Sequence, residues 1–342
     1  MKNKCSIFFV FCIIFLNNCS SKTHQRYVYQ QKLMYTSFDI VFYSQTSKFK
    51  LNSKINHIWD TLDNLEYNLS AIGDGFVGTL NTEGFITEDK NPEIFQIVSN
   101  FIVRSKIINQ QSNGAFDITV YPLIRLWGFY IQDIQKRVPT DQEIEDTLKC
   151  TGMDNIIFTN DGILLKNNVK LDLGAIAKGY AVDLALEMLK DITNVSAGFV
   201  NAGGNVKIYG SKPDGTLWKV GIRNPSGGDV KEIITLYDGE AIATSGDYEQ
   251  FFEVDGQYYH HIFNPKTGKP VTHNLASVSV ILKGSAEETD ILATTFLSMG
   301  VEKSKELLDV FDKEQEYSIL YIERNGKELV SEANNAWIQR TK

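Results

Sequence analysis

The chain has 342 residues, of which 43% are hydrophobic and 22% charged, with 25 glycines and 7 prolines. These proportions are typical of a soluble globular protein and exclude a disordered chain, a collagen-like chain and a protein with several membrane spans. At this length the chain can bury a full core, either as one large domain or as two closely packed subdomains. The formal charge of -8 lacks the basic excess that attracts nucleic acid, so nothing in it predicts nucleic-acid binding.

The amino terminus has the pattern of a secretory signal peptide. Lys2 and Lys4 precede an apolar run from Ile7 to Leu16, which is shorter than the roughly 20 residues needed to cross a bilayer. We expect residues 1–18 to be removed, and an uncleaved anchor is the alternative. Residues 19–31 are polar and without periodicity, and we expect them to form a tether between the membrane and the folded body.

The end of the apolar run predicts lipid attachment. The segment Leu16-Asn17-Asn18-Cys19 resembles a bacterial lipobox, although Asn18 stands where a small residue is usual. This resemblance implies that Cys19 is lipidated and that the protein is an exported, membrane-anchored lipoprotein facing the periplasm or the cell exterior. Cys150 then remains as a lone cysteine, so no structural disulfide can form within one chain.

The body, residues 32–342, is predicted to be one catalytic unit of the α+β class with much antiparallel sheet. Apolar periodicity and capping signals predict helices over residues 54–69, 92–109, 140–149, 175–190 and 286–299. Short β-type runs predict strands over residues 38–42, 218–222, 233–236, 251–254 and 278–282. Asp255-Gly256, between Val254 and Tyr258, is a hairpin signal.

The segment from Leu171 to Tyr180 runs from a strand-like stretch into a helix, with Gly174 and Gly179 at its start. A glycine-flanked helix start can bind phosphate through its backbone amides. Asp172 would then hydrogen-bond the ring or ribose of a nucleotide, and Lys178 would reach a charged oxygen. The alternative is a buried connection in which the glycines serve only close packing, and the segment lacks both the Walker and the G-x-G-x-x-G patterns.

Ser285 and the two glutamates that follow it read as a capping box for the helix over 286–299. Asp290 and Thr294 are four residues apart on that helix, which places a carboxylate and a hydroxyl on one face, and Mg²⁺ accepts both as ligands. A solvated polar stripe is the alternative. The helix is apolar nearly all round, however, so we expect Asp290 to be partly buried and to need a partner.

Adjacent histidines, His260 and His261, follow a predicted strand, so their side chains point to opposite faces. One could face a pocket while the other packs, and for an isolated pair a purely structural role is the alternative. Zinc is not favoured, because His273 is the only other histidine nearby and no cysteine accompanies them.

Seven motifs in this order resemble those of the ApbE family of FAD:protein FMN transferases. They are residues 114–117, 122–129, 172–180, 201–205, 244–247, 261–268 and 290–294. The resemblance covers about residues 34–300 and implies a Mg²⁺-dependent enzyme that splits the pyrophosphate of FAD, transfers FMN to a threonine hydroxyl of an acceptor protein and releases AMP. Acceptors of the family carry a short Ser/Thr-Gly-Ala-Thr type sequence and include subunits of electron-transfer complexes.

The resemblance also implies roles for individual residues. Mg²⁺ ligands would be the carbonyl of Ala175 and the side chains of Asp290 and Thr294. Residues lining the FAD site would be Met34, Ala115, Phe116, Asp117, Asp172, Lys178, His261 and Phe263, with Gly203 and Gly204 nearby. His261 is the predicted group that takes the threonine proton or contacts a phosphate, and Asp290 is the rival base.

Three departures from the family pattern are visible. Tyr35 replaces a glycine after Met34, Ile72 stands at about the place of an aromatic residue over the flavin, and Asn264 replaces an aspartate. Hydrolysis of FAD to FMN and AMP, and a non-enzymatic flavin-binding lipoprotein, therefore stay as alternatives to FMN transfer.

Overall fold

The structure, a computed structural model, describes residues 24–129, 135–228, 230–309 and 317–332. In chain order the strands are β1 (Gln25–Leu33), β2 (Thr36–Ser44), β3 (Phe85–Thr87), β4 (Ile156–Phe158), β5 (Gly162–Leu165), β6 (Val195–Ala202), β7 (Asn205–Tyr209), β8 (Trp218–Arg223), β9 (Val230–Leu236), β10 (Glu240–Gly246), β11 (Phe251–Val254), β12 (Gln257–His260), β13 (Phe263–Asn264), β14 (Lys269–Pro270), β15 (Leu275–Lys283), β16 (Ser318–Glu323) and β17 (Glu328–Glu332). The helices are α1 (Lys48–Leu69), α2 (Phe76–Glu83), α3 (Pro92–Gln111), α4 (Tyr121–Trp127), α5 (Asp141–Leu148), α6 (Ala177–Lys190), α7 (Ala286–Met299) and α8 (Val301–Leu308). The predicted α+β class is confirmed.

The centre of the molecule is an antiparallel sheet of eight strands in the order β1-β2-β6-β7-β10-β15-β16-β17. Helices α1, α6 and α7 pack on one face, and the two-stranded sheet of β8 and β9 packs on the other. In β15 the side chains of Val278 and Val280 lie under α7, whereas Ile281 faces the cluster that includes Trp218 of β8. Because β15 is covered on both faces, even Ser277 and Ser279 are buried, and every position of the strand before Lys283 is inaccessible to solvent.

The predicted tether is wrong over its second half. Residues Gln25–Leu33 form β1, which pairs with β2 along its whole length. Tyr27 and Leu33 are buried and Tyr29 is half-buried, so every second side chain faces the core. The intervening residues are polar or exposed, and this masked the period-two pattern. Residues 1–18 and Cys19 lie outside the described part of the chain, and no helix within that part is long and apolar enough to cross a bilayer.

The five predicted helices are present, with shifted ends. Three further helices, α2, α4 and α8, were not predicted. Helix α8 follows α7 directly, because Gly300 ends α7 with a left-handed φ of 80° and also begins the next helix. The predicted hairpin is confirmed as β11 and β12, with Asp255 and Gly256 at φ 52° and 74° in its turn.

Candidate active site

The amino-terminal turns of α6 and α7 touch at Gly179. A Cβ atom on Gly179 would lie 2.3 Å from the carbonyl oxygen of Ala286 and 2.6 Å from the Cα of Glu287. No side chain fits in that space, so glycine is required for this approach of the two helices. The close-packing interpretation of Gly179 is therefore correct, and the contact also brings the start of α6 to Asp290.

Asp290 is buried, with 3% of its surface exposed, and its Oδ2 accepts a hydrogen bond of 3.0 Å from the backbone amide of Gly179. The N-cap residue of α6, Ile176, has no side-chain oxygen to offer the first amides of its helix. Asp290 therefore caps α6 from the neighbouring helix, where a carboxylate also interacts favourably with the helix dipole. The Gly179 amide is thus the hydrogen-bond partner that a buried carboxylate needs.

The same hydrogen bond changes the surroundings of Ala175. In a regular helix the Gly179 amide would donate to the carbonyl four residues earlier, which is that of Ala175. Here the amide donates to Asp290, and within the described residues no other backbone amide donates to the Ala175 carbonyl. That oxygen is therefore available to a ligand beside the carboxylate.

Thr294 lies one turn after Asp290 on α7 and is half-buried. Its Oγ1 is 3.1 Å from the Oγ of Ser245, which lies near the end of β10. Ser245 is a site residue that the sequence did not single out, although it lies within one of the seven motifs. This contact between the two hydroxyl groups places Thr294 of α7 beside the end of β10.

Lys178 lies between the loop before α6 and the carboxylate on α7. Its ammonium donates to the carbonyl of Gly174 and is 3.7 Å from Oδ1 of Asp290. Asp172 accepts a 2.9 Å hydrogen bond from the Gly174 amide. Burial raises the pKa of Asp172, and the Gly174 amide and Lys178 partly oppose that effect. Lys178 thus links the loop that contains Asp172 and Gly174 to Asp290 on α7.

The strand-like stretch before this loop is held by Asn81 of α2. Its amide group donates to the carbonyls of Leu171 and Ala71, and its Oδ1 accepts from the Leu171 amide at 2.7 Å. Asn81 is buried, and it therefore ties the Ala71-Ile72 loop to the start of the Asp172 segment. An isolated asparagine gives no sequence signal for such a role.

The two adjacent histidines differ, as expected for side chains on opposite faces. His260 is buried, with Nε2 3.0 Å from the Val271 carbonyl and Nδ1 accepting from the Ile262 amide. His261 is half-buried, and its Nδ1 is 3.2 Å from the carbonyl of Gln250. Because a carbonyl only accepts, Nδ1 carries the proton in this contact.

Burial and nearby charges shift the pKa of His261. Burial, together with the charges of Lys178 and Lys136, lowers this pKa to about 4, and the contact with the Gln250 carbonyl opposes that shift. Glu249, just before the hairpin of β11 and β12, responds to the same charges, since burial and Asp290 raise its pKa while Lys178 lowers it. Asp172 and His261 are half-buried and Glu249 is exposed, so all three keep surface that a ligand could reach. Glu249 is an acidic residue of this region that the sequence did not reveal.

Two turns close the same end of the sheet. The turn joining β1 and β2 consists of Met34 and Tyr35, with left-handed φ values of 49° and 61°. Tyr35 thus keeps a backbone conformation that glycine adopts more easily. A Cβ on Gly203, in the turn between β6 and β7, would lie 2.3 Å from Oγ1 of Thr36, and one on Gly204 would lie 3.8 Å from the Thr244 carbonyl.

The remaining predicted FAD-lining residues form supporting structure. Phe116 lies in the main hydrophobic core and Phe263 in a cluster of aromatic residues. Both side chains are buried, so their rings contribute to packing. The carboxylate of Asp117 accepts from the amide and hydroxyl of Thr119, at 2.7 and 2.5 Å. The loop that contains Ala115, Phe116 and Asp117 is joined to the Asp172 segment by a 2.8 Å hydrogen bond from the Asp172 amide to the Ile118 carbonyl.

The donor set suits a hard divalent cation. Within the described residues no three His, Cys, Asp or Glu side chains cluster as a metal site of the zinc type would require. A single carboxylate, a hydroxyl and a carbonyl are instead available from Asp290, Thr294 and Ala175. Mg²⁺ is commonly held by one or two carboxylates together with waters and substrate phosphates. These residues therefore fit Mg²⁺.

A family model and several known proteins are similar to this chain over more than half of its length. The model of the ApbE family matches residues 34–319. The FAD:protein FMN transferase of Vibrio cholerae serotype O1 is 38% identical over 201 residues, which are 57% of this chain and 59% of that protein. The transferase of Escherichia coli K12 is 32% identical over 222 residues, 63% and 62% of the two chains. The chain thus spans about three fifths of the length of these curated relatives.

Solved structures of similar proteins extend over more of the chain. The ApbE protein from Thermotoga maritima has a TM-score of 0.80 and 33% identity, covering 93% of this chain and 100% of that one. The apo form of the flavinyl transferase ApbE from Pseudomonas stutzeri has a TM-score of 0.75 and 29% identity, covering 91% and 95%.

Proposed function

The chain belongs to the ApbE family, and from this membership we propose that it transfers the FMN part of FAD to a threonine hydroxyl of an acceptor protein and releases AMP. The observation that carries the proposal is the hydrogen bond from the Gly179 amide to Asp290, which brings the carboxylate of α7 to the loop that contains Ala175, with Thr294 one turn further along α7. Relatives that bear the name FAD:protein FMN transferase support the same reaction.

In the proposed reaction the threonine Oγ forms a bond to the phosphorus of the FMN phosphate. The bond from that phosphorus to the bridging oxygen breaks, and AMP leaves with the bridging oxygen. The threonine proton must pass to a base in the site. Product and leaving group together account for every atom of FAD and of the acceptor.

Ala175, Asp290 and Thr294 would hold Mg²⁺, which when bound supplies positive charge to the pyrophosphate and to the departing AMP. The Gly179 amide fixes one oxygen of Asp290, so the carboxylate is oriented before substrate arrives. Lys178 adds a positive charge at the same place and would contact an oxygen of the pyrophosphate.

His261 is the better candidate for the base. Its pKa, lowered to about 4, keeps the ring neutral at neutral pH, as a group that accepts a proton must be. Asp290 is the weaker candidate, because one of its oxygens accepts from Gly179 and the other faces Lys178. A base engaged in this way is poorly placed to take a proton from an incoming hydroxyl.

We also propose that the protein is a membrane-anchored lipoprotein with its lipid on Cys19. The lipobox-like sequence supports this location. The proposed acceptor, carrying a Ser/Thr-Gly-Ala-Thr type sequence, would then lie on the same side of the membrane.

The test uses the protein from Ser20 onward, incubated with FAD, Mg²⁺ and an acceptor domain that contains such a sequence. A second acceptor with its threonine replaced by alanine is the matched control. Intact mass and nucleotide chromatography should show FMN on the first acceptor alone, together with free AMP. Free FMN and AMP with both acceptors unchanged would identify a FAD pyrophosphatase instead, and bound, intact FAD would identify a flavin-binding protein without this activity.

A further inference from the structure

Asp183 of α6 joins three elements through its carboxylate. It accepts hydrogen bonds from the hydroxyl of Ser285 at 2.8 Å and from the amides of Ala286 and Glu287 at 3.1 and 3.0 Å. The ammonium of Lys207, on β7, lies 2.6 Å from its Oδ1. The amides belong to the first turn of α7, so Asp183 caps that helix from α6.

The two helices therefore cap each other. Asp290 on α7 accepts from an amide in the first turn of α6, and Asp183 on α6 accepts from amides in the first turn of α7. Between the two carboxylates lies the Gly179 contact, which leaves no room for a side chain. These three interactions together fix the separation of α6 and α7 and their rotation about their axes.

We propose that Asp183 is a positioning residue for the divalent cation site. The inference rests on the proposed function, since it concerns the same Mg²⁺. Two of the predicted ligands, Asp290 and Thr294, come from α7, whereas the Ala175 carbonyl belongs to the loop before α6. The distances among the ligand oxygens are therefore set by how α7 lies against α6, and Asp183 determines this at the start of α7.

The ion pair of Asp183 and Lys207 is largely buried, with 19% and 12% of the two side chains exposed. A buried ion pair contributes little net stability compared with well-packed apolar residues of the same size. Its directional bonds to four donors do fix geometry. Asp183 contacts no predicted ligand itself, so the loss of metal affinity on removing a direct partner of a ligand, about 10- to 100-fold, serves as the guide to its effect. We therefore expect Asp183 to affect cation affinity more than it affects folding.

The experiment titrates the protein from Ser20 onward with Mn²⁺, an observable substitute for Mg²⁺, and follows free Mn²⁺ by electron paramagnetic resonance. In Asp183→Asn we expect Mn²⁺ affinity to fall by about 10- to 100-fold, while FAD affinity measured without metal stays within about twofold. The matched control is Ser304→Ala, which removes buried hydrogen bonds to Phe296 and Gly300 at the opposite end of α7. Its Mn²⁺ affinity should equal that of the wild type.

Asp183→Asn leaves the Lys207 ammonium without its partner, so the double variant with Lys207→Met removes both charges and protects the test against simple unfolding. Wild-type Mn²⁺ affinity in either folded variant would overturn the positioning role and leave the proposed function intact. An equal loss of Mn²⁺ and FAD affinity would also overturn it, since that result indicates general destabilisation. A wild-type protein that binds no Mn²⁺ would contradict the metal site itself, and the positioning role with it.

Discussion

The contact between α6 and α7 makes a sharp prediction for Gly179→Ala. In an exposed helix this substitution stabilises a protein by about 1 kcal/mol, because alanine has the higher helix propensity. Here the added methyl group would lie 2.3, 2.6 and 2.7 Å from three backbone atoms of α7. Backbone cannot rotate away as a side chain does, so the two helices must separate by about 1 Å to reach an ordinary contact.

Two costs follow from that separation. Overpacking of a well-filled core costs about 1 to 3 kcal/mol. Moving the helices apart also lengthens the 3.0 Å bond between the Gly179 amide and Asp290, and a buried donor left unsatisfied costs about 1 to 3 kcal/mol. After the propensity gain is subtracted, we expect the free energy of unfolding to fall by about 1 to 5 kcal/mol.

Urea denaturation at 25 °C, followed by tryptophan fluorescence, measures this change. The matched control is Glu187→Ala on the exposed side of the same helix, where we expect a change within about 0.5 kcal/mol. A Gly179→Ala variant as stable as the wild type, or more stable, would show that the helices are not in contact at this point. It would also remove the basis for the capping of α6 by Asp290.

Four further predictions concern the site and the location of the protein. Asp290→Asn keeps an oxygen that can accept from Gly179, so we expect a stability within about 1 kcal/mol of wild type, but loss of transfer and of Mn²⁺ binding; full activity would reject the metal assignment. His261→Ala should lower kcat by about 100-fold or more while FAD affinity changes little, and an equal loss of both would make it a binding residue. Burial lowers the pKa of His260 from 6.5 to about 3, so as the pH falls the unfolded chain binds a proton at this histidine before the folded protein does. The free energy of unfolding should therefore be greatest above pH 6.5 and decrease from there towards pH 3. In His260→Gln this decrease should be shallower. Cys19→Ser should move the protein from the membrane fraction to the soluble fraction, and continued membrane attachment would indicate an uncleaved anchor.

Much of the fold was predictable where one local signal dominates. The capping serine before α7 and the Asp255-Gly256 turn both lie where the sequence indicated, because caps and tight turns depend on a few neighbouring residues. Strand β1 was missed because its inward residues alternate with glutamines and a lysine in a stretch of polar composition. Helix α4 was missed because its seven residues are too few to show a period.

The candidate site, like the fold, could be predicted from the sequence only in part. The four-residue spacing of Asp290 and Thr294 predicted a shared helix face, and burial of Asp290 followed from its apolar neighbours. The capping of α6 by Asp290, and of α7 by Asp183, depends on residues that are about a hundred positions apart in sequence. Such contacts arise only when the sheet brings α6 and α7 together, so no local pattern can predict them. The same reason explains why Ser245, Asn81 and Glu249 were not recognised.

The most direct test of the account is a comparison of the wild type with Asp290→Asn in the transfer reaction itself. Each protein is incubated with FAD, Mg²⁺ and the acceptor domain, and the intact mass of the acceptor is followed over time. We expect the wild type to add one FMN, less one water, to the acceptor in step with AMP release, and Asp290→Asn to leave the acceptor unmodified although it remains folded. An acceptor unmodified by the wild type, or modified equally by both proteins, would contradict the account.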